Sequence, residues 1–90
     1  MGKIKTHMFY VYVLKSDTDK KLYIGRTSNL KRRFSEHQKG EVTSTKHRKP
    51  FTLIFYEAYK AKEDSVRRER YFKTSKGKSS LAQILRQSVL

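Results

Sequence analysis

Leu22-Tyr23-Ile24-Gly25-Arg26-Thr27-Ser28-Asn29-Leu30-Lys31-Arg32-Arg33 changes its local preference in mid-run, and that change decides the fold. Leu22 to Gly25 carries aromatic and branched side chains that suit a pleated strand. Thr27, Ser28 and Asn29 are residues whose side chains accept a hydrogen bond from the free N–H groups of a first helical turn. Beyond them Leu30, Phe34 and His37 or Gln38 return at helical spacing as far as Gly40, a residue suited to a left-handed cap. The spacing predicts a helix over Asn29–Lys39, with Lys31, Arg32, Arg33 and Lys39 distributed around it.

Working outward, Phe9-Tyr10-Val11-Tyr12-Val13-Leu14 is aromatic or β-branched almost throughout and ends at Ser16-Asp17-Thr18-Asp19, whose side chains bond their own backbone in turns. Two strands joined by so short a polar link predict an antiparallel hairpin. Glu41–Pro50 lacks periodicity and reads as a loop, with Lys46, His47, Arg48 and Lys49 clustered in it. Phe51–Ala58 is expected to be a strand, with Leu53, Phe55 and Glu57 alternating with Thr52, Ile54 and Tyr56; apolar residues on both faces suggest the central strand. Lys62–Thr74 is rich in helix formers, and Lys76-Gly77-Lys78 is read as its interruption. Ser79 or Ser80 would then cap a last short helix with an apolar face of Leu81, Ile84 and Leu85. The expected architecture is α+β, with three antiparallel strands flanked by helices in the order β-β-α-β-α-α.

Ninety residues suit one thin-cored domain, placed at 9–90, and residues 1–8 are read as an N-terminal extension of the kind that cloning adds. Cysteine is absent, so disulfides and thiolate metal sites are excluded. A net charge of +14, from 22 Lys and Arg against 8 Asp and Glu, favours encounter with polyanions, nucleic acid before anionic membrane. No apolar run approaches the roughly 20 residues of a bilayer span, and the amino terminus lacks a signal-peptide apolar segment. The expectation is a soluble, cytoplasmic protein without a membrane partner.

Tyr10-Val11-Tyr12 and Tyr23-Ile24-Gly25 are similar to the two halves of the GIY-YIG nuclease signature. The second half matches letter for letter; in the first, Tyr10 stands at the Gly position and Val11 replaces Ile. Thr27, the Asn29 cap, Arg33 and His37 one turn later continue the likeness, and Glu69 follows in Ala61-Lys62-Glu63-Asp64-Ser65-Val66-Arg67-Arg68-Glu69. The likeness spans Phe9 to about Leu85 and is nearest to the short, free-standing single-domain members. It implies a GIY-YIG-like fold and catalytic roles for Tyr12, Tyr23, Arg33, His37 and Glu69. The Asn that larger members carry beyond the Glu helix has no counterpart in Lys73-Thr74-Ser75-Lys76-Gly77-Lys78.

Each residue also has a physical reading. Spacing alone makes Glu69 a helix-surface partner of Lys73 at i+4; the resemblance makes it the metal ligand, one carboxylate completed by water and substrate oxygens, as suits Mg²⁺ or Mn²⁺. Arg33 offers a planar fork that matches two phosphate oxygens, whereas Arg32 points roughly 100° away. Arg33 and His37, at i and i+4, are expected to converge on one phosphate. Tyr12 and Tyr23 are both candidates for activating water. A phenol with a pKa near 10 is short by roughly 4 kcal/mol at pH 7, a deficit that nearby cations or the metal are expected to reduce. Gly25 allows a close approach to the strand, Arg26 is read as a substrate contact, and Lys46 and Arg48 as contacts to a nucleic-acid backbone. The combined reading is a Mg²⁺-dependent endonuclease acting on DNA in preference to RNA. Its rival is a non-catalytic nucleic-acid-binding module on the same fold, and a coincidental likeness in a basic accessory protein is a third reading.

Overall fold

The computed structural model describes residues 7–90; residues 1–6 of the expected extension lie outside the described residues. Strands β1 (Phe9–Ser16) and β2 (Leu22–Thr27) are followed by helix α1 (Leu30–Gln38), a single 3₁₀ turn at Lys46–Arg48, strand β3 (Phe51–Tyr59) and helices α2 (Lys62–Phe72) and α3 (Ser75–Ile84). The expected β-β-α-β-α-α order and antiparallel sheet are therefore present, as an α+β fold.

The hairpin closes on Ser16: its Oγ accepts the N–H groups of Thr18 at 3.1 Å and Asp19 at 3.2 Å. Lys20, with φ of 63°, carries the chain through the left-handed region of the turn. Asn29 caps α1 by accepting the Arg32 N–H at 3.0 Å, and Gly40 takes φ 74° just past its end.

The sheet order is β2-β1-β3, so the expected central place of the Phe51 strand is corrected: β1 is central and β3 lies at an edge. Val11, Tyr12, Val13 and Leu14 are all within 1% of full burial, whereas Thr52, Tyr56 and Ala58 of β3 are exposed. Apolar residues reach both faces of β3 because of a bulge. Val13 pairs with Phe55 but Leu14 pairs with Leu53, leaving Ile54 as the extra residue and reversing the alternation there. Leu53 and Phe55 consequently face opposite ways, contrary to the simple period of two.

Two cores result, one on each face of β1. Val11 and Val13 pack with Phe72, Leu81 and Leu85 from α2 and α3. Tyr12 and Leu14 pack with Phe51, Leu53 and the α1 residues Leu30 and Phe34, and this second face also carries Tyr23. Burying a side chain such as Leu14 or Phe72 contributes about 1.5–3 kcal/mol each.

Lys76-Gly77-Lys78 does not interrupt the helices, and Ser79 and Ser80 are not caps; Thr74 caps α3 by accepting the Gly77 N–H at 3.0 Å. Gly77 is buried inside α3, where a Cβ would overlap the Tyr71 carbonyl and the backbone of Phe72. The missing side chain lets α3 turn back directly against α2. The 41–50 loop is tied down as well: Thr18 donates to the Lys49 carbonyl at 2.8 Å, and Thr45 is buried.

Candidate active site

The face of the sheet under α1 holds Tyr12, and the ladder explains its neighbours. Tyr12 lies opposite Gly25 on β2, and a Cβ at Gly25 would overlap the Tyr12 hydroxyl and ring. The absent side chain is the space the phenol occupies. Tyr23, two residues back on the same face, places its ring centroid 6.3 Å from that of Tyr12 and 5.1 Å from that of His37.

His37 lies on the Leu30–Phe34 stripe of α1, which brings it inward to 0% exposure. Both ring nitrogens are engaged, Nε2 with the Tyr12 hydroxyl at 2.8 Å and Nδ1 with Thr45 Oγ1 at 2.8 Å. The Thr45 hydroxyl also reaches the Val42 carbonyl at 3.4 Å, which can only accept. The consistent assignment has Thr45 donating to Val42, Nδ1–H donating to Thr45, and Tyr12 donating to the bare Nε2. Burial, with the positive charge of Arg33 second, lowers the His37 pKa to about 4. The imidazole is thus neutral at pH 7. The expected convergence of Arg33 and His37 on a phosphate does not match this geometry: His37 is turned to the Tyr12 hydroxyl and fully covered.

Burial also raises the Tyr12 pKa to about 12, and the nearby Arg33 guanidinium offsets only part of that rise. The expected reduction by nearby cations is not achieved by Arg33, because desolvation of the buried phenolate outweighs it, and the metal is left as the other expected source. Charge on Tyr23 and Glu69 also opposes ionisation of Tyr12, so both residues act on the same phenol.

Arg33 stays at the partly open edge of this face, with Nη1 3.0 Å from Glu36 Oε1. Glu36, which the sequence reading missed, sits at i+3 and also lies 3.7 Å from Arg32, whose side chain is mostly exposed. An acid at i+4 from Arg32 and i+3 from Arg33 on the predicted helix was the available signal. Arg26 pairs across the ladder with Val11 and so faces the opposite way from Tyr12, where its Nε approaches Glu69 Oε1 at 3.6 Å. That Nε is buried and, among the described residues, has no hydrogen-bond partner. Lys73 holds the other Glu69 oxygen at 3.2 Å, the i+4 pair that spacing alone suggests.

The remaining candidates divide. Lys46 is exposed in the 3₁₀ turn. Arg48 is bound to Asp19 at 2.7 Å, reaches the Leu22 carbonyl at 3.4 Å and lies over Phe51, so its guanidinium pins the loop to the hairpin. Its expected contact with a nucleic-acid backbone does not match that engagement.

Among the described residues no three His, Asp or Glu side chains cluster as a metal cage. Glu69 supplies one carboxylate, and the orphaned Arg26 Nε beside it is a donor that a substrate oxygen would satisfy. This donor set fits a hard divalent cation held by one protein oxygen with water and phosphate oxygens, and it does not fit a cage made by protein alone.

A family model described as the GIY-YIG catalytic domain matches residues 8–82. The UPF0213 protein of Streptococcus pyogenes serotype M5 (strain Manfredo) is 39% identical over 75 residues, covering 82% of this chain and 80% of the relative. UPF0213 proteins of serotype M3 (strain ATCC BAA-595 / MGAS315) and serotype M12 (strain MGAS9429) match with the same 39% identity and coverage. No solved structure gives a significant match. Among the described residues no helix is long and apolar enough to cross a membrane.

Proposed function

The chain belongs to the GIY-YIG catalytic-domain family, a nuclease family, and from that premise we propose that it is a divalent-metal-dependent endonuclease that hydrolyses phosphodiester bonds in DNA. The observation that supports this reading most is the position of Tyr12, which touches Gly25 and His37 and feels the charges of Arg33 and Glu69. Residues from β1, β2, α1 and α2 thus act on one phenol.

Arg33, at the edge of the same face, binds the scissile phosphate through its fork and offsets the charge that grows on it in the transition state. Tyr12 accepts a proton from the attacking water as it passes its own to His37 Nε2, whose lone pair already faces it. Burial raises the Tyr12 pKa and lowers that of His37, and both shifts oppose complete transfer from Tyr12 to His37 before attack. The two proton moves are therefore concerted with attack, so no free phenolate has to form; the proton ends on His37 as an imidazolium, which returns it through Tyr12 to solvent once product has left. Glu69 would hold Mg²⁺ or Mn²⁺, which when bound stabilises charge on the departing oxygen. Arg26 meets substrate beside Glu69, and Tyr23 packs on His37 and keeps it oriented. Thr45 fixes the tautomer through Nδ1.

The test incubates plasmid, branched and single-stranded DNA with Mg²⁺, Mn²⁺ or chelator, for wild type, Glu69→Ala and Arg33→Ala. Cutting by wild type with metal, reduced at least about 100-fold in both variants, is the expected result. The rival binding module draws on one observation, that Glu69 is already held by Arg26 and Lys73. Wild-type protein that binds every substrate and cuts none would establish that rival.

A further inference from the structure

Beside Tyr12 the sheet carries a second aromatic feature that the proposed chemistry does not use. Tyr10 precedes Tyr12 by two residues and shares its face, and Tyr56 lies directly opposite Tyr12 on β3. The Tyr10 and Tyr56 rings meet edge to face with centroids 6.0 Å apart. Tyr56 is 53% exposed, an unusual state for a tyrosine on the face that elsewhere packs under α1. The two rings form one wall of an open groove of about 350 Å³, whose other wall is Ser28, Asn29, Leu30 and Lys31 at the start of α1. That volume lies at the small end of ligand pockets.

Leu30 adds an apolar side chain to that wall, Ser28 and Asn29 bring hydroxyl and amide groups, and Lys31 brings an exposed cation. Two aromatic faces with polar groups opposite and a cation at the rim suit a flat heteroaromatic ring with a phosphate attached. A step of two residues along a strand spans about 6.8 Å, so the groove lies a short reach from the Tyr12 hydroxyl. A second aromatic groove, between Tyr59 and Tyr71, is less suited, because Arg68 lies over Tyr71 and is bound to Glu57.

We infer that the Tyr10–Tyr56 groove takes an unstacked nucleobase next to the scissile phosphate, which makes single-stranded or flapped DNA the preferred substrate class. The inference deepens the nuclease reading and rests on its placement of the substrate at Tyr12 and Arg33. A base inside a blunt duplex is stacked on its neighbours and unavailable to the groove, whereas a base in a flap or single strand is free to enter.

The test measures binding in chelator, so that cleavage plays no part, to a single-stranded oligodeoxynucleotide, a flapped duplex, a blunt duplex and an abasic strand of equal phosphate count. Wild type, Tyr56→Ser and Tyr56→Phe are compared, with far-UV circular dichroism as the check on folding. Expected is about 10-fold weaker binding of Tyr56→Ser to the single strand and flap, little change on the blunt duplex, and recovery in Tyr56→Phe. The abasic strand should bind wild type and Tyr56→Ser alike. Equal losses on all four DNAs, or no loss on any, overturn the groove. Selective loss in a protein that never cuts with metal would keep the groove and sink the nuclease reading; cutting without selective loss would do the reverse.

Discussion

Tyr12 is placed by what its neighbours lack and accept. Gly25 lacks the atom that would displace the phenol, and His37 Nε2 accepts the hydrogen bond of its hydroxyl at 2.8 Å. The ring is 1% exposed and cannot swing aside, so Gly25→Ala should lower stability by about 1–3 kcal/mol and break the Tyr12–His37 bond. Urea titration together with the loss of metal-dependent cutting checks this. His37 gives a pH signature of definite sign. Its pKa falls from 6.5 to about 4 on folding, so the unfolded chain binds a proton first as pH drops, and native stability is full above 6.5. Between pH 6.5 and 4 wild type should lose up to about 3 kcal/mol from this group, and His37→Gln, starting lower, should show a flatter profile there. Urea midpoints across that range decide it, and equal slopes would contradict the burial argument. The inward turn of His37 was legible, since it continues the Leu30–Phe34 stripe. Its partner was not: Thr45 lies eight residues away in a segment without periodicity, and only the folded loop brings it beneath the ring.

At the scale of elements, local pattern located the strands and helices and failed where tertiary contact overrules it. The Phe51 strand read as central because a bulge at Ile54 puts apolar residues on both of its faces, and the bulge leaves no mark in composition, since Ile suits the extra position as well as it suits a regular strand. Gly77 misled in the opposite sense. A glycine between two lysines looks like a helix break, yet its role is to admit the Tyr71 carbonyl where another residue would carry Cβ. The atoms it would meet are backbone, which cannot rotate out of the way as a side chain does. Gly77→Ala should therefore raise helix propensity by up to about 1 kcal/mol and still destabilise the protein by about 3 kcal/mol or more. Thermal unfolding of the variant is the measurement, and an unchanged or higher Tm would mean that α3 can shift away from α2 at little cost.

Over the whole molecule, the question is which of the 22 cations remain for a polyanion. Asp19, Glu36, Glu57, Asp64 and Glu69 already face Arg48, Arg33, Arg68, Arg67 and Lys73 respectively. With so few acids in the chain, most of the lysine charge stays in excess, and Lys31, Lys39 and Lys46 are exposed around α1 and the following turn. Charge alone would have supported a nucleic-acid binder and nothing finer. The slope of log affinity against log salt separates the roles, because each phosphate contact on a single strand releases counterions worth about 0.7 of slope. Arg33→Ala should flatten that slope by nearly one such unit, having lost a phosphate contact. Tyr56→Ser should lower affinity on single strands at every salt concentration and leave the slope unchanged, because stacking releases no counterion. Arg48→Ala should leave the slope nearly intact and lower the thermal midpoint instead, since its guanidinium is bound to Asp19 and spans the loop and the hairpin. If Arg48→Ala flattened the slope as much as Arg33→Ala, the loop arginine would have to leave Asp19 to meet DNA, and the division between anchoring and binding cations would fall.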